Sequence, residues 1–255
     1  MVNFYTQNNI GYITMKRAEK KNALNDEMVE QLKIAFNTAN DDKNTKIIVL
    51  QAEGDIFSAG ADLAYLKKLQ DNSFEENLAD SSKLASLFRL IYEGPKVVIA
   101  AVQGHAIAGG CGLATVCDFC IASSHAKFGY TEVRIGFIPA IVSYFLLKKI
   151  GETKAKALLL TGDLIDAQTA VNYGLINQVV KKDLLMPTIE NLANNIIKNC
   201  SKEALKLTKK LISEISTMPL KNALLLASQK NATARASKDC KKGINSFLNK
   251  EEIKW

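Results

Sequence analysis

The sequence predicts an α/β fold with a mostly parallel, helix-covered sheet. Three observations predict it. Short runs rich in β-branched residues are apolar on both faces, helical patterns of ten or more residues separate them, and the strand-like runs stop after Pro187.

In chain order, the N-terminal stretch from Met1 to Asn25 predicts a strand, a turn and the start of a helix, with "GYITM" (Gly11–Met15) a strand. "NDEMVEQLKIAFNTANDD" (Asn25–Asp42) predicts a helix capped by Asn25 or Asp26, with Met28, Leu32, Ala35 and Phe36 on one face. "KIIVLQA" (Lys46–Ala52) is the next strand. "ADSSKLASLFRLIYEG" (Ala79–Gly94) repeats the amphipathic pattern until Gly94 and Pro95 end it. "KVVIAAVQG" (Lys96–Gly104), "CDFCIASS" (Cys117–Ser124) and "LINQVV" (Leu175–Val180) complete the strands. From Thr188 to Asn249 the pattern is helical throughout, and such a tail needs a surface on which to bury its apolar stripes. The expected division is a core over residues 1–190 and a helical region over 191–255.

Composition narrows the class. At 255 residues, 47% hydrophobic and 23% charged, the chain is long and apolar enough for a large core. Its longest apolar runs, such as "VVIAAV" (Val97–Val102), fall far short of the ~20 residues that a bilayer span needs. The N-terminus lacks the pattern of a secretory signal, so a cytoplasmic protein with no membrane partner is expected. Five cysteines without an export signal predict reduced thiols. Cys117 and Cys120 form a C-x-x-C, but with no second pair and two isolated histidines they read as buried apolar thiols, and no metal is expected.

The net charge of +7 raises the question of a polyanionic partner. Lys202, Lys206, Lys209 and Lys210 recur at helical spacing in "SKEALKLTKKLI", which reads as a solvated face opposite a stripe of Leu205, Leu211 and Ile212. No aromatic-interleaved nucleic-acid signature accompanies them.

Two segments carry candidate chemistry. "GDIFSAGADLAYL" (Gly54–Leu66) places a small-residue turn, Ser58 to Ala61, before a helix starting near Asp62. "HAIAGGCGLATVCD" (His105–Asp118) packs Gly109, Gly110 and Gly112 into four positions between a strand and a helix. Glycine loses the most backbone freedom on folding, so this density marks close approach to the main chain. A helix N-terminus presents unpaired N–H groups and positive dipole charge, and two facing each other grip an oxyanion. On spacing alone, two tight strand-to-helix turns fit equally well.

"FSAGADL" (Phe57–Leu63), "GHAIAGGCGLATVCD" (Gly104–Asp118), "AKFGYTEVRIGFIP" (Ala126–Pro139), "LLLTGDLIDAQTAVNYGLINQVV" (Leu158–Val180) and "KKNALN" (Lys20–Asn25) resemble, in order and spacing, the enoyl-CoA hydratase/isomerase or crotonase superfamily. The resemblance spans essentially the whole chain. It implies the crotonase spiral of ββα repeats with a C-terminal helical trimerisation region, assembled as a homotrimer or hexamer. It implies an acyl-CoA substrate, with coenzyme A as part of the substrate and no permanently bound cofactor.

By the same resemblance, the main-chain N–H groups of Ala61 and Gly109 are the oxyanion-hole donors to the thioester carbonyl. Ala23, Leu24, Ala59, Ala61, Asp62 and Leu63 line the coenzyme A groove. Lys20 and Lys21, with Lys242 and Phe247 near the C-terminus, neighbour its phosphates. Of the family's two acid/base glutamates one matches Glu132, whereas the place of the other is Gly112. Hydration is shared most readily by two carboxylates, so this departure leaves three reactions open. They are hydration with Glu132 alone, Δ3,Δ2-enoyl-CoA isomerisation, and decarboxylation of a glutaconyl thioester. "EVRIGFIPA" followed by "IVSYFLLKKIGE" (Ile141–Glu152) resembles bacterial methylglutaconyl-CoA hydratases and favours hydration. Asp118, His105 and Tyr130 are the polar candidates to assist Glu132, whereas His125, in a turn, is expected to be exposed. An RNA-binding function through a lysine-rich early helix, known within the superfamily, is disfavoured because that helix is acid-rich here. A serine-protease relative would need Ser where Cys111 and Gly112 stand.

Overall fold

The structure is a computed structural model and describes residues 1–255. β1 (Val2–Gln7) and β2 (Ile10–Met15) open it as an antiparallel hairpin. Asn8 and Asn9 make its two-residue turn at φ 50° and 63°, the left-handed geometry that matches the twist of paired strands. α1 (Asp26–Asp41) follows, its first turn closed by the Asn25 side chain accepting from Met28 N, and all four expected core residues on it are buried.

Three turns of a strand–strand–helix spiral come next. β3 (Ile47–Ala52) and β4 (Ile56–Ser58) lead to α2 (Leu63–Leu69) and α3 (Phe74–Glu93). β5 (Val97–Val102) and β6 (His105–Ile107) lead to α4 (Gly109–Val116). β7 (Phe119–Ser123) and β8 (Lys127–Gly129) lead to a 3₁₀ turn, Glu132–Ile135, and α5 (Ala140–Thr161). β9 (Ile165–Asp166), α6 (Ala167–Tyr173) and β10 (Gln178–Val180) close the spiral. α7 (Leu185–Asn199), α8 (Lys202–Ile215), α9 (Leu220–Arg235) and α10 (Lys238–Asn249) end the chain.

Each turn contributes one strand to each of two sheets. The larger has the order β1-β2-β3-β5-β7-β10 and is parallel except for the first pair; the smaller has the order β4-β6-β8-β9, with only β9 antiparallel. Alternation along the strands splits the core. Ile13, Met15, Ile48, Leu50, Val98 and Ala100 face α1, α3, α4 and α5, whereas Tyr12, Ile47, Val49, Val97 and Ile99 face Leu185, Ile189, Ala193 and Ile196 of α7. Both faces are therefore apolar, which is why these strands read as continuous hydrophobic runs. α7 crosses residue 190, so its packing ties it to the sheet.

Two expectations need correction. α3 begins at Phe74 rather than near Ala79, because Ser73 and Glu76 form a reciprocal capping box ahead of the amphipathic stretch. Lys209 does not belong to a solvated face. It is buried, with Nζ donating to Ile91 O at 3.0 Å and Lys96 O at 2.8 Å and paired with Asp118 Oδ2 at 2.6 Å, while Ile212 of the expected buried stripe is exposed.

Lys209 is one of five lysines that close helix C-termini, with Lys154 donating to Asn172 O and Tyr173 O of α6. Lys96 Nζ donates to Ala39 O and Asp42 O at the end of α1, Lys209 to Ile91 O of α3, Lys149 to Thr115 O and Cys117 O of α4, and Lys46 to Ile197 O of α7. Carbonyls at a helix end have no partner within the helix and carry partial negative charge, so an ammonium there pairs with both the free carbonyls and the dipole. No helix is long and apolar enough to cross a membrane.

Candidate active site

The parallel strands β4, β6 and β8 are neighbours in the small sheet, and the three chemically distinctive residues lie just past their C-terminal ends. Ala61 follows β4, Gly109 follows β6, and Glu132 follows β8. The C-terminal edge of parallel strands is where α/β folds open a crevice for ligands.

The loop after β4 is held from both sides. Leu24 N donates to Gly60 O and Asp62 N to Leu24 O, so "KKNALN" runs parallel to Ala61 as a one-residue bridge. Ser58 Oγ, fully buried, donates to Asn22 O, and Asn22 Nδ2 donates in turn to Glu53 O and Ile56 O. Asp62 caps α2 by accepting from Ala64 N and Tyr65 N and is paired with Arg17 Nη1 at 2.6 Å. The expected groove residue Asp62 thus has its carboxylate committed to the scaffold. Ala23 and Leu24 are buried, Ala59 is half-buried, and Ala61 and Leu63 are exposed.

The loop after β6 is strained. Ala108 stands at φ 50°, ψ −126°, a conformation that costs ~1–3 kcal/mol for a residue with a side chain. Its backbone is clamped there, N donating to Gly129 O at 2.7 Å and O accepting from Gly112 N at 3.0 Å. The effect is to start α4 abruptly at Gly109. The two loops meet at Gly60, whose φ is 86°. A Cβ on Gly60 would fall 2.8 Å from Ala108 Cβ and 3.6 Å from Gly109 N, so any side chain there would push the loops apart. Neither Ala61 N–H nor Gly109 N–H donates to any protein acceptor. Two unpaired amides therefore come from loops in contact, on accessible backbone, the requirement for an oxyanion hole.

Glu132 opens its 3₁₀ turn from the third strand end, and Gly136 at φ 75° closes that turn. Oε2 of Glu132 is buried with no hydrogen-bond partner. Burial pushes its carboxyl above the usual glutamate range, which favours a group that both takes up and releases a proton.

The place of the second acid is closed. A Cβ on Gly112 would lie 2.3 Å from Val142 Cγ1 and 2.9 and 3.0 Å from two ring carbons of Phe88, and both neighbours are core residues. An apolar plug therefore occupies the space that a glutamate at 112 would need.

The polar candidates for assistance separate clearly. Asp118 accepts from Val98 N and pairs with Lys209, tying β5, β7 and α8 together, and serves the scaffold. His105 Nδ1 accepts from Lys127 N on the small sheet. Tyr130 is fully buried with its hydroxyl 2.7 Å from Thr115 Oγ1, turned into α4 and closed to substrate. His125 is exposed, as expected. Cys111 and Cys117 are buried thiols pushed up to about 11 and about 12, and Cys120 is raised as well.

At the far end of the chain, Phe247 is 81% exposed, and Lys242 Nζ donates to Lys254 O and lies 5.2 Å from the Trp255 ring centroid. Neither touches the strand-end site within one chain. Sequence reasoning missed Asn22, Ser58 and Arg17, which hold the first loop, and Val142 with Phe88, which fill the second acid's place. Asn22, Ser58 and Val142 lay within recognised motifs, but all five act through contacts between distant positions that the motifs do not show.

Comparison with known proteins agrees with this geometry. Residues 5–255 match the family described as enoyl-CoA hydratase/isomerase. A crotonyl-CoA hydratase of Syntrophomonas wolfei is 34% identical over 248 residues, covering 96% of this chain and 94% of that protein. A short-chain-enoyl-CoA hydratase of Clostridium acetobutylicum is 32% identical over 250 residues, covering 96% and 93%. The crystal structure of an enoyl-CoA hydratase from Shewanella pealeana superposes with a TM-score of 0.94 at 29% identity, covering 100% of this chain and 95% of that one. The strand-end crevice, its two free amides and the whole-length matches lead to one conclusion: this chain belongs to the enoyl-CoA hydratase/isomerase family.

Proposed function

We propose that the protein is an enoyl-CoA hydratase acting on an α,β-unsaturated acyl-CoA, with a branched, methylglutaconyl-like acyl group as one candidate. In this reading the thioester carbonyl accepts hydrogen bonds from Ala61 N–H and Gly109 N–H. Glu132 takes a proton from water as the water oxygen bonds to C3, and electrons move onto the thioester oxygen as an enolate. The same carboxyl then returns the proton to C2, and the carbonyl re-forms. Water is added overall and Glu132 ends as it began.

The observation that carries the reading is the placing of two unpaired amides and one carboxylate with a buried, unpartnered oxygen at three adjacent strand ends. Ala23, Leu24, Ala59 and Leu63 then border the coenzyme A groove, with Asp62 contributing main chain. Lys242 and Phe247 sit on the exposed C-terminal surface. Leu220, Leu224, Leu225 and Leu248 are all at least 60% exposed there, which supports assembly as a homotrimer or hexamer in which this surface is covered.

The plug at Gly112 favours one second reading, Δ3,Δ2-isomerisation, because moving a proton between two carbons needs only one carboxylate. Incubation with crotonyl-, 3-enoyl- and 3-methylglutaconyl-CoA in heavy water, followed by mass spectrometry, separates the readings. Hydration adds the mass of water, isomerisation exchanges deuterium alone, and decarboxylation loses CO₂. Glu132→Gln is expected to lower turnover ~10²–10⁴-fold with thioester binding retained. Unchanged turnover would remove Glu132 from the chemistry.

A further inference from the structure

Tyr130 stands two residues before Glu132, fully buried, and its hydroxyl is aimed away from the substrate crevice into α4. Thr115 Oγ1 is a single-proton group with two close oxygen neighbours, Cys111 Sγ lying farther off at 4.0 Å. It lies 2.5 Å from Cys111 O and 2.7 Å from the Tyr130 hydroxyl. A carbonyl only accepts, so the threonine proton is committed to Cys111 O. Tyr130 must therefore be the donor in the second bond. Burial keeps the phenol protonated by raising its pKa well above the usual phenol range, so this direction holds at every working pH.

We propose that Tyr130 and Thr115 form a positioning pair that fixes the Glu132 carboxylate relative to the oxyanion hole. The chain of bonds runs from Tyr130, on the segment that carries the base, through Thr115 to the Cys111 carbonyl in the first half of α4, the helix that begins at Gly109. A second tie joins the same segments, since Gly129 O accepts from Ala108 N. No other side chain hydrogen-bonds the Glu132 carboxylate, whose Oε2 has no partner and which otherwise meets only its own main-chain N–H, so its location depends on the backbone that Tyr130 anchors. Misplacement of a catalytic group by an ångström can cost ~10²-fold in rate. A phenol-to-hydroxyl bond in the dry interior is also one that water cannot replace. Neither residue touches substrate, and both act through Glu132.

The inference rests on the proposed role of Glu132 and the oxyanion hole, and its test keeps the two apart. Tyr130→Phe, Thr115→Val and the double variant are compared with wild type in hydration of crotonyl-CoA. A chromophoric cinnamoyl thioester of coenzyme A is bound to each, and its spectral red shift reads polarisation by the oxyanion hole. Each single variant is expected to lower kcat about tenfold or more with KM within about twofold. The double variant is expected to be no worse than either single, because both remove one link. Thr115→Ser, which keeps the hydroxyl, is expected to retain activity. The red shift is expected to stay at its wild-type value in all of them, and the acid limb of kcat/KM to move to lower pH as water reaches the loosened carboxylate. Wild-type kcat and an unmoved acid limb in Tyr130→Phe would overturn the positioning role while leaving the proposed function intact. So would a fall in kcat that Thr115→Ser shares in full. A wild-type protein that gives no red shift would instead overturn the oxyanion-hole reading itself.

Discussion

Gly112→Ala sets two effects of opposite sign against each other. Gly112 is the fourth residue of the eight-residue helix α4, and alanine in a helix interior is favoured over glycine by ~1 kcal/mol. Against this, the added methyl would sit 2.3 Å from Val142 Cγ1 and about 3 Å from Phe88, well inside contact distance. Both neighbours are buried, and the Phe88 ring is itself packed 5.7 Å from that of Phe145, so neither can swing away. Overpacking typically costs ~1–3 kcal/mol, and a contact as short as 2.3 Å belongs to the upper part of that range, so after ~1 kcal/mol of propensity is subtracted Gly112→Ala is expected to destabilise by ~1–2 kcal/mol. Urea unfolding at one fixed protein concentration measures it. The cycle with Val142→Ala makes the test sharper, because shortening Val142 removes the closest contact and should cancel at least half of the cost of the added methyl. A Gly112→Ala variant as stable as wild type, or a cost unchanged in the Val142→Ala background, would refute the steric account. By the same geometry Gly112→Glu alone should misfold or lose activity, and gains a place for its carboxylate only when Val142 is shortened.

Four further outcomes follow from other parts of the site and scaffold. Gly60→Ala, by forcing a Cβ against Ala108 and Ile107 O from a φ of 86°, is expected to separate the two donor loops and lower kcat ~10²–10³-fold, read by steady-state hydration kinetics. Because burial raises the Glu132 pKa, the base form is lost as pH falls through a value above the usual glutamate range, so the acid limb of kcat/KM should lie there and not near ~4.3. The same shift has a stability sign: the carboxyl's contribution is full below its unfolded pKa and declines as pH rises through its folded one, so Glu132→Gln should melt above wild type at pH 7, with the gap closing below ~4. Lys209→Met is expected to destabilise by ~3 kcal/mol in denaturant titration, the low end for breaking a buried pair, because Asp118 keeps 27% of its side chain accessible to water.

Much of the architecture was legible because each strand of the large sheet carries its own signal. Ile47 to Leu50 and Val97 to Val102 are apolar at every position, and the register sends alternate residues to two different cores. The small sheet was not legible, since β4, β6, β8 and β9 are two or three residues long and too short for periodicity to register. Yet that sheet brings Ala61, Gly109 and Glu132 together. The family resemblance supplied the roles proposed for them, and their placement at neighbouring strand ends became visible only with the strand order. Lys209 shows the opposite failure: helical spacing among four lysines reads as an exposed face, and only the neighbouring ends of α3 and β5 reveal why one of them is buried. Gly112 reads in the sequence as a missing acid, whereas in three dimensions it is the room that Val142 and Phe88 require.

The lysines that end α1, α3, α4, α6 and α7 change the meaning of the formal charge of +7. Each faces the tail of a helix carrying roughly half an elementary negative charge, so a sizeable share of the basicity is balanced locally by the backbone. To an incoming nucleotide, or to a sulfonated chromatography resin, this molecule should look less cationic than its isoelectric point of about 9 implies.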